Sequence, residues 1–317
     1  QIDNLVSAFS GKGVGMVIAI GGGSVIDGGK AVSAMLPVQG SVMDFLEGVG
    51  TRTHSGKKIP FVAVPTTAGT GSEATKNAVI RGNGHRFFKK SLRHENFVPD
   101  AAIIDPELML SCPSDITAAC GMDAFSQLLE SFVSTKATPM TDALSFSGLQ
   151  HMKEALLPVS TTEGKNIDHR AAMAYGALIS GITLANAGLG VAHGLAGPLG
   201  GLVEIPHGLA CGLLLGPATA MNIRFLERQD DGSSTALKKY ARVGHLLRNS
   251  RAEDVEQGCR FLIEELKNWK DQLALPAPGS LEIAPAQLDE TARLSGNKNN
   301  PVQLEEEDRR ELLSLSF

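Results

Sequence analysis

The stretch Met16-Val17-Ile18-Ala19-Ile20-Gly21-Gly22-Gly23-Ser24 decides the fold class. Five apolar residues bounded by glycine read as a short strand buried on both faces, the pattern of a parallel sheet covered by helices. Helical spacing resumes near Val25-Ile26-Asp27. A strand that passes through a glycine turn into a helix sets free N–H groups and the positive end of the helix dipole where an anion can approach closely. The turn is not the G-x-G-x-x-G dinucleotide fingerprint, and a tight turn without a ligand would need the same residues.

Working outward, a second apolar run, Phe61-Val62-Ala63-Val64, leads into Pro65-Thr66-Thr67-Ala68-Gly69-Thr70-Gly71-Ser72-Glu73. A third, Ala101-Ala102-Ile103-Ile104, stops at Asp105-Pro106. Strands separated by helices or long crossovers, each followed by a small polar turn, predict a parallel α/β sheet with binding loops at the strand C-terminal ends. Four hydroxyls and two glycines make the second loop dense for a connector; a polar turn capped by Ser72 is the alternative.

Beyond Pro113 helical periodicity takes over. The expected organisation is an α/β domain over residues 1–111 followed by an all-helical domain over 112–317. Ser114 is expected to cap a helix through Cys120, Gly121 to break it, and Met122 to Ser134 to form the next one. That second helix has an apolar stripe (Met122, Phe125, Leu128, Leu129, Phe132, Val133) and a polar one (Asp123, Gln127, Glu130, Ser134). From Ala171 to Val203 there is no Asp, Glu, Lys or Arg, but Asn186, His193 and the glycines at 176, 181, 188, 190, 194 and 197 point to closely packed buried helices rather than a membrane span.

Composition narrows the function. With 317 residues, 43% hydrophobic and 20% charged, the chain is an ordinary globular one. Its formal charge of −5 supplies no positive field for nucleic acid or an anionic membrane, so a small-molecule role is expected. Cys112, Cys120, Cys211 and Cys259 are dispersed without a C-x-x-C pair, which argues against a disulfide framework or a thiolate zinc site and fits free thiols in the cytoplasm. The chain begins at Gln1 in what reads as a helix, so it is expected to start inside a domain. Two histidines, His193 in Gly190-Val191-Ala192-His193-Gly194 and His207 in Pro206-His207-Gly208, lie in apolar surroundings where an imidazole needs a defined partner. With the acidic stripe near Asp123, a metal site competes with two satisfied core histidines.

Together, Gly21 to Lys30, the PTTAGTGSE loop at 65–73, Gly121-Met122-Asp123-Ala124, the two histidine motifs and Asn297-Lys298-Asn299-Asn300-Pro301 resemble the iron-containing (group III) alcohol dehydrogenases, in order over essentially the whole chain. The resemblance implies a dinucleotide-binding domain followed by a helical metal domain, with a strand-and-helix segment of the family upstream of GGGS not present in this sequence. It implies that Gly22, Gly23 and Ser24 contact the cofactor pyrophosphate, that Asp27 belongs to the cofactor-binding set, that Thr66, Thr67 and Thr70 line the nicotinamide side, and that Lys89 lies near the nicotinamide ribose, with Lys90 the alternative register. Asp123, His193 and His207 would be metal ligands. Where the family's iron enzymes have a histidine one helical turn after the aspartate, this chain has Gln127, a weaker amide donor; the metal is then iron or zinc on three ligands and water, as in the zinc-dependent glycerol dehydrogenases of the superfamily, or absent. Gly197 stands where many relatives have another histidine, which would widen the pocket. The implied reaction is alcohol–aldehyde or alcohol–ketone interconversion with NAD or NADP, by a homodimer or larger homo-oligomer. A dehydroquinate-synthase-type lyase, or a nucleotide-binding homologue without chemistry, are the alternatives.

Overall fold

The structure, a computed structural model, describes residues 1–83, 87–229 and 234–317. Helix α1 (Ile2–Phe9) precedes strand β1 (Val17–Gly21), helix α2 (Gly23–Met35) and strand β2 (Phe61–Pro65). Strands β1 and β2 pair in parallel from Val17 opposite Phe61 to Gly21 opposite Pro65, so both glycine- and threonine-rich loops leave the sheet at the same edge. An antiparallel hairpin follows, β3 (Asn77–Asn83) and β4 (Phe87–Arg93), and then the short β5 (Ala101–Ala102), which pairs in parallel with β2.

Three features differ from expectation. Strand β1 is not buried on both faces: Ala19 packs on α2, but Ile18 and Ile20 are 58% and 61% exposed, because among the described residues a helix covers only one face of the sheet there. The third parallel strand is two residues long rather than four. Its crossover from β2 is a hairpin, not a helix, and Phe87-Phe88-Lys89-Lys90 does not announce a strand because its charges fall on both faces.

The remaining elements are helical: α3 (Ser114–Val133), α4 (Pro139–Thr161), α5 (Ile167–Ala187), α6 (Val191–Leu202), α7 (His207–Gln229), α8 (Thr235–Leu247), α9 (Val255–Gln272), α10 (Pro285–Leu294) and α11 (Glu306–Ser316). Helix α3 runs unbroken through Gly121, and Pro113 rather than Ser114 stands at its N-cap position. Gly121 is a packing device: a Cβ there would sit 2.3 Å from Leu156 and 2.6 Å from Met173, so its absence lets α4 and α5 close on α3. Every residue of α3 from Gly121 to Val133 is buried, in the largest core of the molecule. Burying a leucine such as Leu128 contributes about 1.5–3 kcal/mol.

Helix α7 is long and apolar enough to cross a membrane by composition, yet most of it is buried within the protein. Helices α5 and α6 meet at a 100° bend and form the buried, glycine-rich pair expected for Ala171 to Val203. The two halves of the chain touch at Gly71, whose φ of +60° only glycine adopts readily. A Cβ on it would come within 2.4 Å of the Gly181 backbone in α5.

Candidate active site

The site lies between the sheet edge and the helical domain, in two adjoining cavities of about 460 and 380 Å³. Gly23, Ser24 and Thr70 line both on one side, Asp123 and His207 on the other. Gly22 and Thr67 line the larger cavity. A Cβ on Gly23 would sit 2.6 Å from Thr70, so the glycine turn and the threonine loop abut and form one surface at the N-terminus of α2. Thr66 lines neither cavity; its amide donates to the Gly21 carbonyl at 3.0 Å and extends the strand pairing.

Asp27 lines the smaller cavity, with one carboxylate oxygen accepting from the Ser72 hydroxyl and the other from the Val79 amide at 2.9 Å. Burial raises its pKa. One turn on, the buried Lys30 ammonium donates at 2.8 Å to each of the Ser72, Thr75 and Asn77 carbonyls. Burial lowers its pKa to about 8. Asp27 and Lys30 thus tie α2 to the threonine loop and β3, and buried charges are tolerated because their partners are supplied.

The hairpin places the two lysines on opposite faces. Lys89 and Ser91, two apart on one face of β4, line the smaller cavity, while Lys90 is exposed on the opposite face. Burial lowers the Lys89 pKa, opposed by the negative charge of Cys211, Asp123 and Asp27.

The polar stripe of α3 faces inward. Asp123, Gln127 and Glu130 are all buried. Asp123 Oδ1 lies 3.1 Å from His193 Nε2, and the His193 and His207 ring centroids are 5.6 Å apart. Glu130 Oε2 accepts from His193 Nδ1 at 2.6 Å, and its other oxygen accepts from the Ala192 amide at 2.7 Å at the start of α6, where the helix dipole favours a carboxylate. In the neutral imidazole that a cation requires, Nδ1–H donating to Glu130 would leave the Nε2 lone pair for the centre, the usual support of a metal-binding histidine. The NKNNP run supports the same corner: Asn300 accepts from the Val191 amide and donates to Asn222.

Cys211 joins this cluster. One helical turn after His207 on α7, its Sγ lies 3.5 Å from His193 Nε2 and 3.7 Å from His207 Nε2. One donor atom each from Asp123, His193, His207 and Cys211 lies within 4.8 Å of all the others. All four cysteines are free thiols, and Cys211 lies among the candidate metal donors although no C-x-x-C pair marks it. The readable signal was the i, i+4 spacing of His207 and Cys211, not a C-x-x-C pair. The Gln127 amide is engaged at 2.6 Å by the Ser180 hydroxyl.

Burial alone would raise the Asp123 pKa, but the imidazoles of His207 and His193 hold it at about 2. Burial, with Lys89 and His193 adding to it, takes His207 down to about 4 against the pull of Asp123. Burial would also lower His193, yet Cys211, Asp123 and Glu130 hold it well above the ordinary value. Burial pushes the Cys211 thiol up to about 12. Such a buried set of anionic and lone-pair donors fits a divalent cation. At Gly197, which lines the same cavity, a Cβ would meet nothing within 4 Å.

A glycine turn at a helix N-terminus, facing a buried group of candidate metal donors, suits metal-assisted chemistry on a nucleotide. Comparison with known proteins narrows it. Residues 1–106 match the family described as iron-containing alcohol dehydrogenase, and residues 117–317 match the Fe-containing alcohol dehydrogenase family C-terminal region. The NAD-dependent methanol dehydrogenase of Bacillus methanolicus is 34% identical over 223 residues, 70% of this chain and 57% of that protein. Long-chain-alcohol dehydrogenase 1 of Geobacillus thermodenitrificans is 31% identical over 310 residues, 95% of this chain and 75% of that one. The crystal structure of an archaeal halo-thermophilic alcohol dehydrogenase from a Red Sea brine pool superimposes with a TM-score of 0.89 at 26% identity, covering 100% of this chain and 80% of that chain. A 1,3-propanediol oxidoreductase structure gives 0.88 with the same identity and coverage. The chain belongs to the iron-containing alcohol dehydrogenase family. Nothing in these relatives supports a lyase or a homologue without chemistry.

Proposed function

We propose that the protein interconverts a small alcohol and its aldehyde or ketone by hydride exchange with NAD or NADP, assisted by a divalent metal. The observation that carries this is the convergence of the Asp123, His193 and His207 donors across one cleft from the Gly22–Ser24 turn. Asp123, His193 and His207 would hold the cation, which supplies Lewis-acid polarisation of the substrate oxygen while the nicotinamide supplies the hydride acceptor.

The chain's own residues do the positioning. Amides at the start of α2 receive the cofactor's phosphates, Thr67 and Thr70 flank them, and Lys89 offers a donor inside the cavity for a ribose hydroxyl. The buried walls exclude water, which strengthens every polar contact with the bound substrate. Gly197 leaves room for the substrate's carbon chain. Relatives named for methanol, long-chain alcohols and propanol support the substrate class. A cytoplasmic setting agrees with the four free thiols.

The test is a panel of primary and secondary alcohols with NAD and NADP, followed by absorbance of the reduced cofactor, before chelation, after it, and after metal is returned. Activity lost on chelation and restored by metal is expected. Undiminished activity in fully demetallated protein would refute the metal role.

A further inference from the structure

We propose that Cys211 supplies the fourth protein ligand of the divalent cation, in place of Gln127, giving an aspartate–histidine–histidine–thiolate centre. This deepens the reading above and rests on it. The four donors converge: three of their six separations are 3.1 Å (Asp123 Oδ1 to His193 Nε2), 3.5 Å (Cys211 Sγ to His193 Nε2) and 3.7 Å (Cys211 Sγ to His207 Nε2), and all six are within 4.8 Å, near the edges of a tetrahedron. Metal–ligand bonds of about 2.0–2.3 Å give edges of about 3.3–3.8 Å. Cys211 is fully buried on the same helix as His207, so it reaches this position without rearrangement of the backbone. The competing donor, Gln127, spends its amide on Ser180.

Charge points the same way. A doubly charged cation and the Lys89 ammonium bring three positive charges to a buried site where the Asp123 and Glu130 carboxylates supply two negative ones, leaving one uncompensated. A thiolate cancels it. On binding, the Cys211 S–H bond breaks, the sulfur lone pair bonds to the cation and the proton leaves to solvent, so the site binds one cation and releases one proton at this residue. A thiolate donor also shifts the preference from ferrous iron toward zinc.

The experiment loads the purified protein with cobalt(II) and records its near-ultraviolet spectrum, alongside zinc X-ray absorption of the wild type. A thiolate-to-cobalt charge-transfer band is expected in the wild type and in Gln127→Ala, and its loss in cobalt-loaded Cys211→Ser, with weaker metal retention against a chelator. X-ray absorption should show one sulfur at about 2.3 Å from zinc, a result that needs no variant to fold. Tight metal binding without the band or the sulfur overturns the thiolate assignment and leaves the metal reading intact. A Cys211→Ser protein that keeps the band overturns it too. A wild type that holds no metal overturns both readings.

Discussion

Glu130 touches no substrate or cofactor surface in the cleft, yet its replacement by glutamine should disable the cation site. The carboxylate accepts from His193 Nδ1 at 2.6 Å and from the Ala192 amide at 2.7 Å. Glutamine keeps the shape but has one acceptor and one donor end. If its NH₂ faces His193, the imidazole must move its proton to Nε2 and can no longer offer a lone pair to the cation; if it faces Ala192, that buried amide meets another donor. Leaving one buried donor unsatisfied costs about 1–3 kcal/mol. Loss of such an outer partner weakens metal binding about 10–100-fold, equivalent to about 1.4–2.7 kcal/mol. Competition with a chromophoric chelator measures this directly, and denaturant unfolding of the metal-free protein separates it from stability. A Glu130→Gln protein that binds zinc as tightly as the wild type would refute the proposed tautomer control.

Other substitutions probe the scaffold. Gly197→Ala should change stability by less than about 1 kcal/mol, because its Cβ enters open space within a helix while the following Pro198 disfavours helical backbone for a residue with a Cβ; a thermal melt checks this. Gly121→Ala should lose about 1–3 kcal/mol in the same melt, since Leu156 and Met173 must move. Lys30 makes stability depend on alkaline pH. Its folded pKa of about 8 is below its ordinary 10.5, so between those values the unfolded chain binds more protons and stability rises with pH by up to about 1.4 kcal/mol per unit from this group. Denaturant midpoints from pH 8 to 10 should show that rise in the wild type relative to Lys30→Met.

Much of this was legible in the sequence because it depends on local chemistry. A strand ending in Gly21-Gly22-Gly23-Ser24, a threonine-rich loop after the next strand, and two histidines in apolar glycine-rich contexts all declare themselves through residue type and spacing, and all reach the same cleft. What depended on distant partners did not. Gly121 reads as a helix breaker until Leu156 and Met173 are seen against it. The stripe at Asp123, Gln127 and Glu130 reads as a polar face, whereas α6 and α7 bury it. Cys211 looks inert in a search for paired cysteines, because its partners are imidazoles brought in by a different helix and a helix turn. The hairpin stayed hidden since Lys89 serves the cavity instead of the solvent.

The contact between Gly71 and Gly181 restricts how this enzyme can diversify. Backbone meets backbone there, so the distance between the threonine loop and α5 is set by van der Waals radii and offers no side chain for variation to resize. That dimension of the cleft is closed to adaptation. Change in the shape of the cleft is open instead at positions with space to fill, such as Gly197 on the wall shared with Leu184 and Leu189.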